Sequence, residues 1–134
     1  MPYLESSRPR QGGPAVATIA LPTPFRCDVI PERDRVRIAV AGELDIATTP
    51  RVERAIRELL ESGFDHVILD LTDVEFLDST GLQLILRMQA SADAGRYRFQ
   101  VRPGPPAVQR IFALTGTLDR ISFEARLRQV RAYR

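Results

Sequence analysis

The residues best placed to do chemistry lie in one run, Phe76-Leu77-Asp78-Ser79-Thr80-Gly81-Leu82, where an apolar stretch meets the start of a helical pattern. Asp78 or Ser79 suits a helix cap, and acidic charge suits the positive end of a helix dipole. Gly81 fits that role less well, because glycine inside a first turn lowers helix propensity by about 1 kcal/mol relative to alanine. Its presence is explained if another chain or a phosphate approaches the backbone closely. A helix start of this kind tolerates added negative charge through its dipole and free N–H groups. Thr80 is the neighbouring hydroxyl and reads as a polar helix-start residue.

Other chemistries fail on composition. All 19 basic residues are arginine, which removes a Schiff-base lysine and a lysine-bearing phosphate loop. One cysteine, Cys27, excludes an internal disulfide, and with one histidine, His66, no zinc site of the usual nitrogen and sulfur ligands can be built. No Gly-x-Ser-x-Gly elbow accompanies His66. Asp70, Asp73, Glu75 and Asp78 cluster where a strand ends, the usual ligand end of an α/β sheet. They could hold Mg²⁺ as in a phospho-acceptor receiver, but that chemistry recruits a lysine, and solvated loop acids are the simpler reading. No metal or cofactor is therefore expected, and no catalytic residue. The net charge of +2 is too small to indicate nucleic acid. No stretch approaches the ~20 apolar residues of a membrane span, and the N-terminal prolines and arginines interrupt any secretory core. The expectation is a cytoplasmic protein.

The elements that must position Ser79 are legible from periodicity. Six of ten prolines fall within the first 31 residues, so residues 1–24 read as a flexible arm, with residues 16–21 a possible short strand. Residues 25–134 form one domain. Phe25 to Ile30 is a strand ended by Pro31, and Arg35 to Val40 alternates as a half-buried strand. Thr49 caps a helix with Pro50 at its first position, and Val52, Ala55, Ile56, Leu59 and Leu60 form its apolar stripe. His66 to Leu71 is a central strand covered on both faces. A second helix runs from Ser79 to Gly95, Tyr97 to Val101 is a strand, and Pro105-Pro106 opens a third helix closed by Gly116. Ile121-Ser122-Phe123 reads as a short strand and Glu124 onward as a fourth helix. The fold class is α/β: a mixed sheet of four to five strands flanked by four helices. Arg126, Arg128, Arg131 and Arg134 read as a solvated face of that last helix.

Three ordered motifs then resemble a known family. Residues 67–71 with 76–82, the segment Gly42-Glu43-Leu44-Asp45-Ile46-Ala47-Thr48, and Pro106 to Phe112 with Leu114-Thr115-Gly116 are similar to the STAS domain, and more narrowly to bacterial anti-sigma factor antagonists. The likeness covers about residues 25–123 and departs at Gln83, where a second glycine is common, and in the arm. It implies that Ser79 is phosphorylated, and that the unmodified form binds an anti-sigma factor with serine kinase activity and frees the sigma factor. It also implies that a phosphatase resets the switch. Asp45, Asp78, Ser79, Thr80 and Gly81 would border the partner, and the protein would be a substrate and binder, not an enzyme. Two other readings are a STAS subunit of a lipid-transport ATPase system, against which the intact Asp78-Ser79-Thr80-Gly81 counts, and a nucleotide-binding regulatory module, against which the absence of lysine and of a glycine-rich phosphate loop counts.

Overall fold

A computed structural model describes residues 23–124. Four strands, β1 (Arg26–Glu32), β2 (Arg35–Leu44), β3 (His66–Leu77) and β4 (Arg98–Arg102), form one mixed sheet in sequence order. β1 runs antiparallel to β2, while β2, β3 and β4 are mutually parallel. The parallel pairs require crossovers, supplied by α1 (Thr49–Glu61) between β2 and β3 and by α2 (Ser79–Ser91) between β3 and β4. α3 (Pro106–Leu114) follows β4. Each helix is followed by a glycine with positive φ, Gly63 after α1, Gly95 within the π-helical turn (Ala92–Arg96) after α2 and Gly116 after α3, a conformation other residues rarely adopt.

Three helices are described rather than four. Glu124 is not helical, and residues 125–134, including the four C-terminal arginines, lie outside the described residues, as do residues 1–22. Ile121 to Phe123 makes a single parallel bridge, Val101 to Phe123, instead of a full fifth strand. β1 continues through Pro31, which an edge strand tolerates because it pairs on one side only. β3 runs six residues past Leu71, since Thr72 to Leu77 stays paired with β2 through two irregularities in register. Thr49 is not the cap of α1: it is the first helical residue, and its buried hydroxyl has no hydrogen-bond partner among the described residues.

The two faces of the sheet are built differently. Val36, Ile38, Val40, Val67, Leu69, Leu71, Phe99 and Val101 join Val52 and Ile56 of α1, Leu84 and Ile85 of α2, and Val108 and Phe112 of α3 in one apolar core. The intervening residues face the other way: Ala39 and Ile68 are apolar and Gln100 is polar, while Arg35, Arg37, Asp70 and Arg102 are charged. There Glu32, Arg35, Glu124, Arg102, Asp70 and Arg37 close a ring of alternating sign. Its contacts are 3.0 Å for Glu32–Arg35, 3.4 Å for Arg35–Glu124, 2.6 Å for Glu124–Arg102, 3.7 Å for Arg102–Asp70, 2.9 Å for Asp70–Arg37 and 2.8 Å for Arg37–Glu32. The ring ties all four strands together. The carboxylates of Asp70 and Glu124 are nearly buried, so each depends on its arginine partners for compensation.

The start of α2 is seated by its own chain. A Cβ at Gly81 would lie 2.7 Å from Leu77 Cδ1, 2.9 Å from the Leu44 carbonyl oxygen and 3.0 Å from Leu44 Cγ. The close approach that explains this glycine is therefore internal: α2 packs against the ends of β2 and β3 where no side chain fits.

Gly81→Ala is thus expected to destabilise the domain by about 1–3 kcal/mol through overpacking, despite the gain in helix propensity. Denaturant unfolding of the two proteins checks the sign, and a more stable variant would refute the steric account. A second expectation concerns the charged ring. Arg37, by its hydrogen bond to Glu32, is the main cause that holds the Glu32 carboxyl below its ordinary range, with Arg35 adding to it and burial opposing. A carboxyl depressed on folding contributes stability that is complete above its unfolded value, about 4.3, and is lost as pH falls through the folded value. Wild type should therefore have a higher unfolding midpoint than Glu32→Gln at neutral pH, and the gap should narrow as pH falls below about 4.3.

Candidate functional site

The C-terminal ends of β2 and β3 lie side by side, with Leu44 opposite Leu77 and Glu43 opposite Phe76. From these ends two short turns lead into α1 and α2. They are joined at the backbone, where the Asp78 N–H donates to the Leu44 carbonyl at 3.2 Å. The sheet thus brings the Asp45 segment and the Ser79 segment, separated by more than thirty residues in sequence, to one place.

Asp78 is the N-cap of α2, in extended backbone, and its Oδ1 accepts from the N–H groups of Thr80 at 2.8 Å and Gly81 at 3.1 Å. Ser79 is the first helical residue and is exposed, and its hydroxyl makes no hydrogen bond to another described residue. Thr80 is half-buried and Gly81 buried. This geometry changes one expectation. Asp78 already accepts from two of the N–H groups at this helix start, those of Thr80 and Gly81.

Asp45 is also engaged. Its Oδ1 accepts from the backbone N–H groups of Ala47 at 3.0 Å and Thr48 at 3.1 Å, and its carbonyl accepts from Thr49 N–H at 2.8 Å. The Thr48 hydroxyl donates to the Glu43 carbonyl at 2.7 Å and accepts from Asp45 N–H at 2.9 Å. Asp45 therefore shapes the turn that starts α1, the task composition had suggested for Thr49.

The remaining acids of the strand end do separate jobs. Asp70 belongs to the charged ring and accepts from the Thr72 hydroxyl, and Glu75 accepts from the N–H and hydroxyl of Thr23. No group of three or more histidine, cysteine, aspartate or glutamate side chains suited to a metal ion is present among the described residues. His66 is buried, with Nε2 2.8 Å from Gln100 Oε1, on the strand end remote from Ser79. Cys27 is half-buried in β1, and burial pushes its thiol above the ordinary range. Thr23 to Phe25 lies against Gly42, whose positive φ and missing Cβ admit the incoming backbone. Two residues of the stretch assigned to the arm thus pack on the domain.

Sequence reasoning missed two exposed apolar side chains at this end. Phe76 is 48% and Ile46 75% exposed. The signal was present: Phe76 precedes a buried leucine at the end of a strand, so the pleat must turn it to the opposite face. No helix among the described residues is long and apolar enough to cross a membrane.

Comparison with known proteins agrees with this architecture. An anti-sigma-B factor antagonist of Staphylococcus epidermidis is 27% identical over 92 residues, covering 69% of this chain and 85% of that protein. The crystal structure of an anti-sigma factor antagonist from Mycobacterium paratuberculosis superposes with a TM-score of 0.67 at 26% identity, covering 86% of this chain and 97% of the other. The Bacillus cell fate determinant SpoIIAA in its phosphorylated form shares the fold, with a TM-score of 0.57 at 20% identity over 83% of this chain and all of that one. Residues 28–123 match the family described as "Mlab, STAS domain", and the chain belongs to the STAS domain family.

Proposed function

We propose that this protein is an anti-sigma factor antagonist that works as a phosphorylation switch in the cytoplasm. Its unmodified form binds an anti-sigma factor with serine kinase activity and so frees the sigma factor. The kinase then phosphorylates Ser79, which ends the binding, and a phosphatase restores it. The chain acts as substrate and binding partner rather than as a catalyst. The observation that carries this reading is the exposed Ser79 hydroxyl at the first position of a helix whose N–H groups are already capped by Asp78. The named function of the Staphylococcus relative supports it.

Capping determines how the switch acts. Phosphate adds about −1.5 to −2 charge. It would stand beside Asp78 without displacing the cap, so the domain keeps its structure and the partner meets the new charge. Asp45, Asp78 and Thr80 border the contact, and Gly81 serves it indirectly by seating α2 on Leu44.

Incubation with the serine kinases encoded near the gene, with ATP, should place phosphate on Ser79 by mass spectrometry. In calorimetric titration Ser79→Ala should bind the kinase as tightly as the unmodified wild type, with ATP present or absent. Ser79→Asp should bind at least about tenfold more weakly while its thermal unfolding stays close to wild type, because aspartate suits a helix start. Phosphate found only at other residues, or undiminished binding by Ser79→Asp, would refute the assignment.

A further inference from the structure

Phe76 and Ile46 are large apolar side chains exposed at the adjoining ends of β3 and β2. Phe76 lies three residues before Ser79 and pairs in register with Glu43; Ile46 lies on the turn that Asp45 holds rigid. The two turns and the strand ends before them, residues 43–48 and 75–81, contain Glu43, Asp45, Glu75 and Asp78 and no basic residue. The two segments that carry these apolar side chains thus hold four acids in a chain whose net charge is +2. Arg51 on α1 is occupied, its guanidinium 4.7 Å above the Phe25 ring, and Arg26, which lines a cavity with Glu75, pairs with Asp28 at 3.4 Å.

Resting on the function proposed above, we infer that Phe76 and Ile46 are the apolar anchors of the docking surface, and that the partner presents an apolar depression rimmed by arginine or lysine. Charge complementarity selects that partner chemistry: an acidic rim repels an acidic protein and steers a basic one into register. Aromatic side chains at the centre of a desolvated patch carry a disproportionate share of binding energy, and the rim excludes water around them. The arrangement also explains why the modified residue is Ser79. A phosphate next to the anchors would have to be stripped of water whenever the anchors enter their pocket, so docking and phosphorylation exclude each other.

The test uses the full chain and the kinase that modifies Ser79. Phe76→Ala and Ile46→Ala should each weaken binding of the unmodified chain by about tenfold or more and raise KM for Ser79 phosphorylation. Phe76→Leu should recover most of the loss. Leu114→Ala, which removes an equally exposed side chain (78%) from the end of α3, should leave affinity within about twofold of wild type. Glu43→Arg should weaken binding, and the wild-type affinity should fall with added salt. All variants should unfold at the wild-type temperature, since the side chains changed are exposed. Wild-type affinity in both alanine variants would overturn the anchors while leaving the switch at Ser79 intact. Failure of every kinase to bind the unmodified chain would overturn the functional reading, and the anchors with it.

Discussion

The end of β2 at Leu44 is the point on which the site depends. Its carbonyl accepts the Asp78 N–H, fixing the end of β3 to the end of β2. The same carbonyl and the Leu44 side chain occupy the space that a Cβ at position 81 would need, so α2 can begin only with glycine there. Leu44 itself is fully buried, opposite Leu77 in the parallel register. A rigid strand pair therefore dictates where the first turn of α2 stands, and that turn dictates where the Ser79 hydroxyl points. Sites built on such elements hold their geometry better than sites on free loops.

This rigidity bears on how a charge at Ser79 can be read. A phosphate that captured free helix N–H groups would compete with the cap and could reshape the turn. With Asp78 accepting from both Thr80 and Gly81, that route is closed. The charge is then felt through space by whatever covers the surface. Two unit charges about 4 Å apart interact by about 1 kcal/mol in water and about 4 kcal/mol at an effective dielectric of about 20. Docking expels water and moves the pair from the first regime toward the second. A phosphate at Ser79, the modification proposed above, would thus be tolerated on the free domain and opposed in a complex.

The sequence reveals most of the scaffold because its apolar residues repeat with the right periods. Val52 and Ile56 mark the buried side of α1, and the alternation from Arg35 to Val40 separates the core face of β2 from its charged face. The cap at Asp78 is equally legible, because capping is local chemistry. What stays hidden is what depends on partners far away in the chain. The extension of β3 is masked because its last buried residues, Leu71, Val74 and Leu77, recur every third position instead of every second. The register slips account for this: between Ala39 and Ala41 the partner moves from Asp70 to Asp73, and between Gly42 and Glu43 from Val74 to Phe76. Each inserts an extra residue in β3, which resets the alternation that identifies a strand. Gly81 reads as space left for a ligand, whereas the space is filled by Leu44 and Leu77, whose proximity only the folded sheet creates. Asp45 enters the sequence reading only as a residue that would border a partner, and its second task, organising the turn before α1 with its carboxylate, is seen only in the fold.

The charges are distributed in two ways. On the sheet face opposite the helices, three arginines and three acids neutralise one another in a closed ring, leaving little field outside. At the strand ends, four acids stand without a basic residue on the same turns. A chain with a surplus of arginine could have paired those acids too, and it does so elsewhere: Glu53 on α1 takes both Arg57 and Arg87. Unpaired acids around exposed Phe76 and Ile46 keep the surface soluble while it is free and leave a field for a basic partner to neutralise. Net charge conceals this, since +2 over the whole molecule sums a neutral ring and an acidic end with positive charge spread elsewhere. Recognition depends on the local sum, and at this end that sum is already negative.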